Sequence, residues 1–243
     1  MTTRAPRPSA ARGPAVAARH VEDWSTARSR TLRVAETFVS LQGEGRRAGL
    51  PTAFIRLTGC ALRCRWCDTA WAFHEGTRRR LEDIEQEVLA TGISRVCITG
   101  GEPLLQPSVV PLARRLAEVH GLDVVVETGG DQDVSVLPPS VARIMDIKLP
   151  GSGMADRMDL RNLERLGPRD EVKLVVADRR DWEAACALVR GPLARFPGEV
   201  VVSPVAGELS AQELARWVLD ERLGVRVQVQ LHKLLWPDRT RGV

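Results

Sequence analysis

Short runs of β-branched residues alternate with longer amphipathic runs along most of this chain, and this alternation constrains the possible folds more than any other feature. Strands are predicted near residues 32–40, 52–59, 95–100, 123–129, 142–149, 171–177, 199–205 and 225–232. Helices are predicted near residues 78–91, 108–119, 158–166, 180–190 and 210–223. Strands separated by helices favour right-handed βαβ units and a parallel sheet. The pattern predicts an α/β fold, an open (partial) parallel β/α barrel, whose chemistry lies at the carboxyl ends of the strands.

The first residues lack this alternation. Residues 1–30 are rich in Ala, Arg, Pro and Ser, and no hydrophobic periodicity runs through them. We interpret them as a disordered tail, with a targeting segment as the less favoured alternative. The length of 243 residues suits one domain with such a tail, so residues 31–243 are predicted to form a single domain.

Composition excludes several classes of protein. No apolar run approaches the roughly 20 residues needed to span a bilayer, and the N-terminus has no uninterrupted apolar signal segment. A cytoplasmic location without membrane attachment is therefore the default. The net charge of +4 comes mainly from Arg residues interleaved with Asp and Glu. Because no nucleic-acid-binding motif is present, a solvated surface is favoured over a nucleic-acid partner.

Three of the five cysteines lie within eight positions, at Cys60, Cys64 and Cys67. In a cytoplasmic protein such a cluster indicates a metal or catalytic site and not a disulfide framework. Cys97 lies in an apolar strand-like run and Cys186 in a helix-like run, and both are interpreted as buried packing residues.

The C-x3-C-x2-C spacing leaves two kinds of metal site open. A structural zinc needs four closed ligands, and His74 could complete a Cys3His site. A [4Fe-4S] cluster with only three protein ligands instead leaves one iron open to a small molecule.

The surrounding motifs favour the cluster. The loop Gly59–Asp68, with Trp66 before its last cysteine, resembles the signature of the radical S-adenosylmethionine (SAM) superfamily. The next strand ends in Gly100-Gly101-Glu102-Pro103, which resembles the superfamily's GGEP motif at the methionyl end of SAM. Glycines permit close backbone approach, and Glu102 offers a carboxylate to an ammonium group. The resemblance implies two cofactors, a [4Fe-4S] cluster on the three cysteines and SAM.

Further segments narrow the resemblance. The stretch 36–45, the stretch 54–57 and Trp66-Cys67-Asp68-Thr69 resemble the 7-carboxy-7-deazaguanine synthase (QueE) family, as do residues 230–236 and 241–243. The likeness runs from about Leu32 to Val243 and implies that residues 31–243 are a radical SAM catalytic domain.

This resemblance implies a carbon–nitrogen lyase of the 7-deazapurine and queuosine pathway. Such an enzyme cleaves SAM reductively, and the 5′-deoxyadenosyl radical abstracts hydrogen from C6 of 6-carboxy-5,6,7,8-tetrahydropterin. Ring contraction with loss of ammonia then gives 7-carboxy-7-deazaguanine. The resemblance also implies Mg²⁺, a homodimer and an electron donor such as flavodoxin or ferredoxin.

Site residues are implied position by position. Thr69 matches the Mg²⁺ position, where a lone hydroxyl would need substrate and water to complete the shell. The substrate positions are Leu41, Gln42, Gly43, Glu44, Arg56, Thr99 and His232. The SAM positions are Trp66, Cys67, Asp68, Gly100, Gly101, Glu102, Glu127, Thr128, Asp146, Ile147, Lys148, Ser203, Pro204, Val205 and Ala206.

Two points stay open on the sequence. Many family members have Ser-Pro-Lys where this chain has Asp146-Ile147-Lys148, which puts the roles of the first two residues in doubt. A glycyl-radical activase, which shares the cysteine spacing and GGEP, is the alternative enzyme, and a zinc-binding scaffold protein is the alternative outside catalysis.

Overall fold

A single nine-stranded sheet organises the protein in a computed structural model that describes residues 23–243. The strands are β1 (Thr31–Leu41), β2 (Pro51–Leu57), β3 (Thr77–Arg80), β4 (Arg95–Gly100), β5 (Asp123–Thr128), β6 (Ala142–Ile147), β7 (Glu171–Val176), β8 (Glu199–Pro204) and β9 (Arg226–Val227). Their order in the sheet is β3-β1-β2-β4-β5-β6-β7-β8-β9. β2 and β4 to β9 pair in parallel, whereas β1 pairs antiparallel with both β2 and β3.

Helices connect the parallel strands. The α-helices are α1 (Trp24–Ala27), α2 (Leu81–Ala90), α3 (Val109–Arg114), α4 (Arg179–Arg190), α5 (Ala211–Glu221) and α6 (Leu231–Leu235). A π-helical turn, Arg115–Val119, extends α3. Short 3-10 helices occupy Gly45–Arg47, Ala70–Phe73, Pro103–Leu105, Val134–Val136, Pro150–Ser152, Ala155–Arg157 and Leu160–Arg165. Parallel strands with helical crossovers confirm the predicted open α/β architecture, with antiparallel strands at one edge.

The sheet does not close on itself, because β3 and β9 are its two edges. The turn after β1 nevertheless meets the chain after β9. Gly45 N–H donates to the Gln228 side-chain oxygen at 2.6 Å, and Leu231 N–H donates to the Gly43 carbonyl at 3.1 Å. These hydrogen bonds replace a strand ladder along the open side.

The strands bury different chemistry on their two faces, because successive side chains point to opposite sides. On β6 and β7 the outward side chains pack against α4 and α5 in an apolar core; they include Met145, Ile147, Val172 and Leu174. A small apolar layer lies on the inner face, made of Phe54, Cys97, Val125, Ala142 and Ile144. Beyond that layer the inner side chains become polar.

Three local predictions are wrong. Residues 78–80 begin the predicted helix 78–91 but belong to β3, an edge strand that pairs with Thr31–Val34 of β1. Charged side chains are typical of edge strands. The predicted helix 158–166 is a 3-10 helix, and the predicted strand 225–232 is a two-residue strand followed by α6.

The predicted tail lies mostly outside the described residues. Residues 23–30 of that prediction are described, and within them α1 forms one turn capped by the Asp23 side chain, which accepts from the Ser25 N–H at 3.1 Å. Ala27 is fully buried, so the packed domain begins before residue 31.

Over residues 23–243, no helix is both long and apolar enough to cross a bilayer.

Candidate active site

A cavity of about 470 Å³ lies at the carboxyl ends of the inner strands. Each parallel strand from β2 to β8 brings side chains to this edge, where ligands bind in open α/β sheets. All but four of the predicted site residues line the cavity, the exceptions being Glu102, Ile147, Ser203 and Pro204.

The cysteine loop forms one wall. Cys60, Cys64 and Cys67 are free, half-buried and face the cavity, and Arg63 stiffens the loop by donating to the Cys60 and Leu62 carbonyls at 2.7 Å each. Burial raises the pKa of the Cys60 and Cys64 thiols. Iron binding needs thiolates, so metal coordination would have to overcome this shift.

The donor set fits an iron–sulfur cluster better than a zinc. Within residues 23–243, no three His, Cys, Asp or Glu side chains are grouped closely enough to hold one metal ion. His74, the fourth ligand of the zinc alternative, does not line the cavity. A cluster does not require the sulfurs to meet at one ion, because each thiolate binds a different iron.

Glycines allow the GGEP strand end to pack directly on the cysteine loop. A Cβ on Gly101 would lie 1.9 Å from the Gly59 carbonyl oxygen, and one on Gly100 would lie 2.2 Å from the Leu57 carbonyl oxygen. Gly100 also has a positive φ of 126°, which favours glycine. The sequence predicts that these glycines allow a close backbone approach. In the structure, that approach is between the GGEP segment and the chain around the cysteine loop.

Glu102 lies behind the cavity wall and is fully buried. Its carboxylate accepts from Leu104 N–H at 2.9 Å, from Gly129 N–H at 2.6 Å and from the Thr128 hydroxyl at 3.0 Å. Burial raises its pKa to about 7. In this arrangement the carboxylate supports the ends of β4 and β5, and the predicted contact with an ammonium group would require it to give up protein donors.

Strand alternation divides the predicted SAM-contacting stretch on β6. Asp146 and Lys148 face the cavity and form an ion pair at 3.0 Å, whereas Ile147 points outward into the apolar core. On β8, Pro204 and Ser203 do not line the cavity, although the Ser203 hydroxyl is buried without a hydrogen-bond partner. A side-chain role for Ile147 is excluded by this orientation.

Glu127 links the substrate-turn residue Gln42 to β4. One of its carboxylate oxygens accepts from the Gln42 amide at 3.1 Å, and the other accepts from the Thr99 hydroxyl at 2.7 Å. The Gln42 side-chain oxygen accepts from the Gly43 N–H at 2.8 Å. Gln42, Thr99 and Glu127 thus form one rigid polar group, although the sequence assigns them to two different ligands.

His232 packs directly on the turn at Gly43, where a Cβ would lie 2.4 Å from its Nδ1. Burial lowers the pKa of His232, against the opposing influence of Glu44 and Asp68. The neutral ring can both donate and accept a hydrogen bond.

Arg56 faces the cavity from β2 and is almost buried. Its Nε donates to Glu36 at 2.8 Å, and its Nη2 donates to the Val243 main-chain oxygen at 3.3 Å. The guanidinium lies 5.4 Å from the Phe38 ring centroid. The predicted carboxylate-binding group is present, and a bound carboxylate would compete with these two acceptors.

The predicted Mg²⁺ position lies beside the cluster loop. Thr69 lines the cavity, with its hydroxyl 3.9 Å from the Cys67 sulfur. The neighbouring Asp68 pairs with Lys233 of α6 at 3.1 Å, and although desolvation acts to raise the pKa of Asp68, this cation lowers it.

Several cavity residues have no counterpart in the sequence-based site. They include Lys173, Gln230, Lys233, Arg239 and Thr240. Lys173 interrupts an otherwise apolar strand, which is a signal that the sequence offers; the last four lie on the segment after β9, whose fold the strand prediction missed.

An open α/β sheet with three cysteines after one strand and GGEP ending the next defines a radical SAM domain. The sequence profile of the Radical SAM superfamily matches residues 54–146, from β2 to β6. The chain is 39% identical over 228 residues to the 7-carboxy-7-deazaguanine synthase of Koribacter versatilis, covering 87% of this chain and 100% of that one. It is 40% identical over 215 residues to that of Chlorobaculum tepidum, covering 87% and 97%. The chain therefore belongs to the 7-carboxy-7-deazaguanine synthase family.

A solved structure agrees with this assignment. The crystal structure of QueE from Escherichia coli superimposes with a TM-score of 0.72 at 25% identity, covering 88% of this chain and 100% of that one. Family membership confirms the predicted radical SAM enzyme class and, with it, a [4Fe-4S] cluster and SAM as cofactors.

Proposed function

We propose that this enzyme converts 6-carboxy-5,6,7,8-tetrahydropterin to 7-carboxy-7-deazaguanine with loss of ammonia. The observation that carries the proposal is that the cysteine loop and the turn formed by Gln42-Gly43-Glu44-Gly45 (the QGEG turn) line one cavity. Relatives with that activity in their name match nearly their whole length, which supports the assignment.

Each wall of the cavity has a distinct part in this proposal. Cys60, Cys64 and Cys67 would hold the cluster, and the bound cluster and SAM would supply a 5′-deoxyadenosyl radical. Lys148 offers an ammonium and Asp146 a carboxylate from β6 to the SAM side. The protein's own task is to place C6 of the substrate beside that radical and to exclude water.

The opposite wall suits the pterin. Gln42, Thr99 and Glu127 together present amide, hydroxyl and carboxylate groups to the donors and acceptors of the pterin edge. Arg56 offers a planar guanidinium to the substrate carboxylate. Thr69 would bind Mg²⁺ together with that carboxylate and water, so metal binding would depend on substrate.

The wider setting is part of the same proposal. We place the enzyme in the cytoplasm, in 7-deazapurine and queuosine biosynthesis, as a homodimer reduced by a donor such as flavodoxin or ferredoxin. The free thiols at Cys60, Cys64 and Cys67 support a reducing compartment, because iron binding needs them unoxidised.

An anaerobic assay tests the proposal. Purified protein with about four irons should cleave SAM when reduced, and with the tetrahydropterin carboxylate it should form 7-carboxy-7-deazaguanine, faster with Mg²⁺ present. A colourless protein with one zinc would contradict the cofactor assignment. SAM cleavage without turnover of the pterin would contradict the substrate and favour the activase alternative.

A further inference from the structure

Lys173 is a largely buried cation, with 16% of its side chain exposed, and none of the family motifs considered above includes it. It lies in the middle of β7 with its side chain on the inner face, beside Asp146 in the register of β6 and β7. Its neighbours Val172 and Leu174 point outward into the apolar core. A lysine at such a position needs partners, because an unpaired buried charge is strongly destabilising.

The first partner is Glu44 of the QGEG turn. Lys173 Nζ donates to one Glu44 oxygen at 2.5 Å, and the Gln230 amide donates to the other at 2.6 Å. Each oxygen of Glu44 is therefore held by one donor from a different element. A carboxylate fixed at both oxygens presents its remaining lone pairs in one direction, so its acceptors are set before a ligand arrives.

The second partner is Asp146, where the chain departs from the family's usual serine. Lys173 and Lys148 both contact Asp146 Oδ2, at 3.2 and 3.0 Å. These two cations lower the Asp146 pKa although burial acts to raise it. The other oxygen, Oδ1, is buried and has no hydrogen-bond partner. Asp146 thus anchors the same Lys173 ammonium group that holds Glu44.

We propose that Lys173 is a positioning residue that fixes Glu44 for substrate binding and is itself anchored by Asp146. The inference rests on the proposed function, since Glu44 belongs to the turn that lines the substrate cavity there and is one of the predicted substrate positions. The single ammonium group of Lys173 contacts both Glu44 and Asp146. Without it, Glu44 would lose the donor at one oxygen, and Asp146 would keep Lys148 as its only cation.

A double-mutant cycle tests the inference. The variants are K173M, E44Q and E44Q/K173M, with R190M as control, since Arg190 forms an exposed ion pair with Glu221. The measurement is the Kd of 6-carboxy-5,6,7,8-tetrahydropterin by anaerobic equilibrium dialysis with SAM present. Iron content and uncoupled release of 5′-deoxyadenosine are measured on the same samples.

The expected result is a strongly non-additive cycle. K173M and E44Q should each raise the Kd about tenfold or more, and the double variant should raise it no further than E44Q alone. Iron content should stay at the wild-type level, and 5′-deoxyadenosine should be released without product. R190M should match wild type.

Two results would overturn the inference. One is a K173M Kd within about twofold of wild type; the other is a double-variant Kd about tenfold or more above that of E44Q. If K173M does not fold, the second comparison still decides, because E44Q/K173M removes both charges of the pair together. Failure of the proposed function looks different, since wild-type protein would then not bind or convert the pterin.

Discussion

The two faces of β6 and β7 carry opposite chemistry although they share the same backbone. The outward side chains form an apolar core with α4 and α5, whereas the inner ones line a cavity with charged groups. On β6, Ile147 lies on the first face between Asp146 and Lys148 on the second. We infer that the outer face mainly stabilises the domain, whereas the inner face offers the polar and charged groups that a ligand needs.

Removing a cluster ligand should give the largest effect on the inner face. Cys64→Ala should lower the iron content and abolish SAM cleavage, because the cluster would lose one of only three protein ligands. The outer-face control is Cys186→Ala in α4, a buried cysteine in the apolar core. Iron counting and release of 5′-deoxyadenosine measure both variants. If Cys64→Ala still cleaves SAM, the result would contradict both the assignment of Cys64 as a cluster ligand and the functional difference between the two faces.

Truncating an outer-face residue should lower the stability of the domain and leave SAM binding unchanged. Leu174 is fully buried on the outer face, so Leu174→Ala should lower the free energy of unfolding by roughly 2–5 kcal/mol. SAM affinity, measured on the folded protein, should stay near wild type. Denaturant unfolding measures the loss, with Leu219→Ala as the exposed control. A large change in SAM affinity would show that the two faces are not separable.

Arg56 tests the inner face through the substrate. Arg56→Ala should raise the substrate Kd by roughly 10–100-fold, because a charge-assisted hydrogen bond contributes about 1.5–3 kcal/mol. Arg56→Lys should recover only part of the loss, since an ammonium lacks the planar fork. Equilibrium dialysis with the pterin carboxylate checks both. If Arg56→Ala binds the pterin carboxylate with wild-type affinity, Arg56 does not contact the substrate.

Glu102 is fully buried behind the cavity wall, and a pH profile of stability tests its protonation. Its pKa is raised from 4.5 to about 7, so the folded protein keeps a proton that the unfolded chain has lost. This contribution to stability is fully present below about pH 4.5 and is lost as the pH rises through about 7. Urea unfolding between about pH 5 and 8 should show a decline in wild type that Glu102→Gln lacks. Parallel profiles for the two proteins would contradict the shift.

The smallest effect is expected at Asp146. Asp146→Ser introduces the residue that many family members carry, and a hydroxyl can still accept from Lys148. Substrate Kd should rise only a few-fold, because Glu44 still holds Lys173. The measurement is the same dialysis, with Asp146→Leu as a variant that cannot accept. If Asp146→Ser instead raises the substrate Kd more than about a hundredfold, the result would indicate that Asp146 contacts the ligand directly.

Local patterns were sufficient for the central elements of the fold. β4 to β8 follow from apolar β-branched runs, and the cysteine loop and GGEP follow from motifs at strand ends. The edge strand β3 could not be predicted from local sequence. It forms by pairing with β1, and its arginines are equally compatible with a helix. The segment after β9 folds as α6 only where it meets the turn at Gly43.

The site shows the same division between local and long-range information. Motif matches place Gln42, Thr99 and Asp146 at the cavity but cannot show which of them share a partner. Lys173 stands out in sequence only as a lysine between valine and leucine, and its contacts with Glu44 and Asp146 become visible only in the folded protein. Contacts across more than 100 residues of sequence leave no periodic signal.

The junction between the turn after β1 and the chain after β9 gives the cavity one side wall without a strand ladder. Only a few hydrogen bonds, among them Leu231 N–H to Gly43 and Gly45 N–H to Gln228, hold it shut. We expect deuterium to label the Leu231 amide well before the Leu174 amide, which lies inside the continuous sheet. Faster labelling at Leu231 would show that this seam opens locally while the neighbouring strands keep their register.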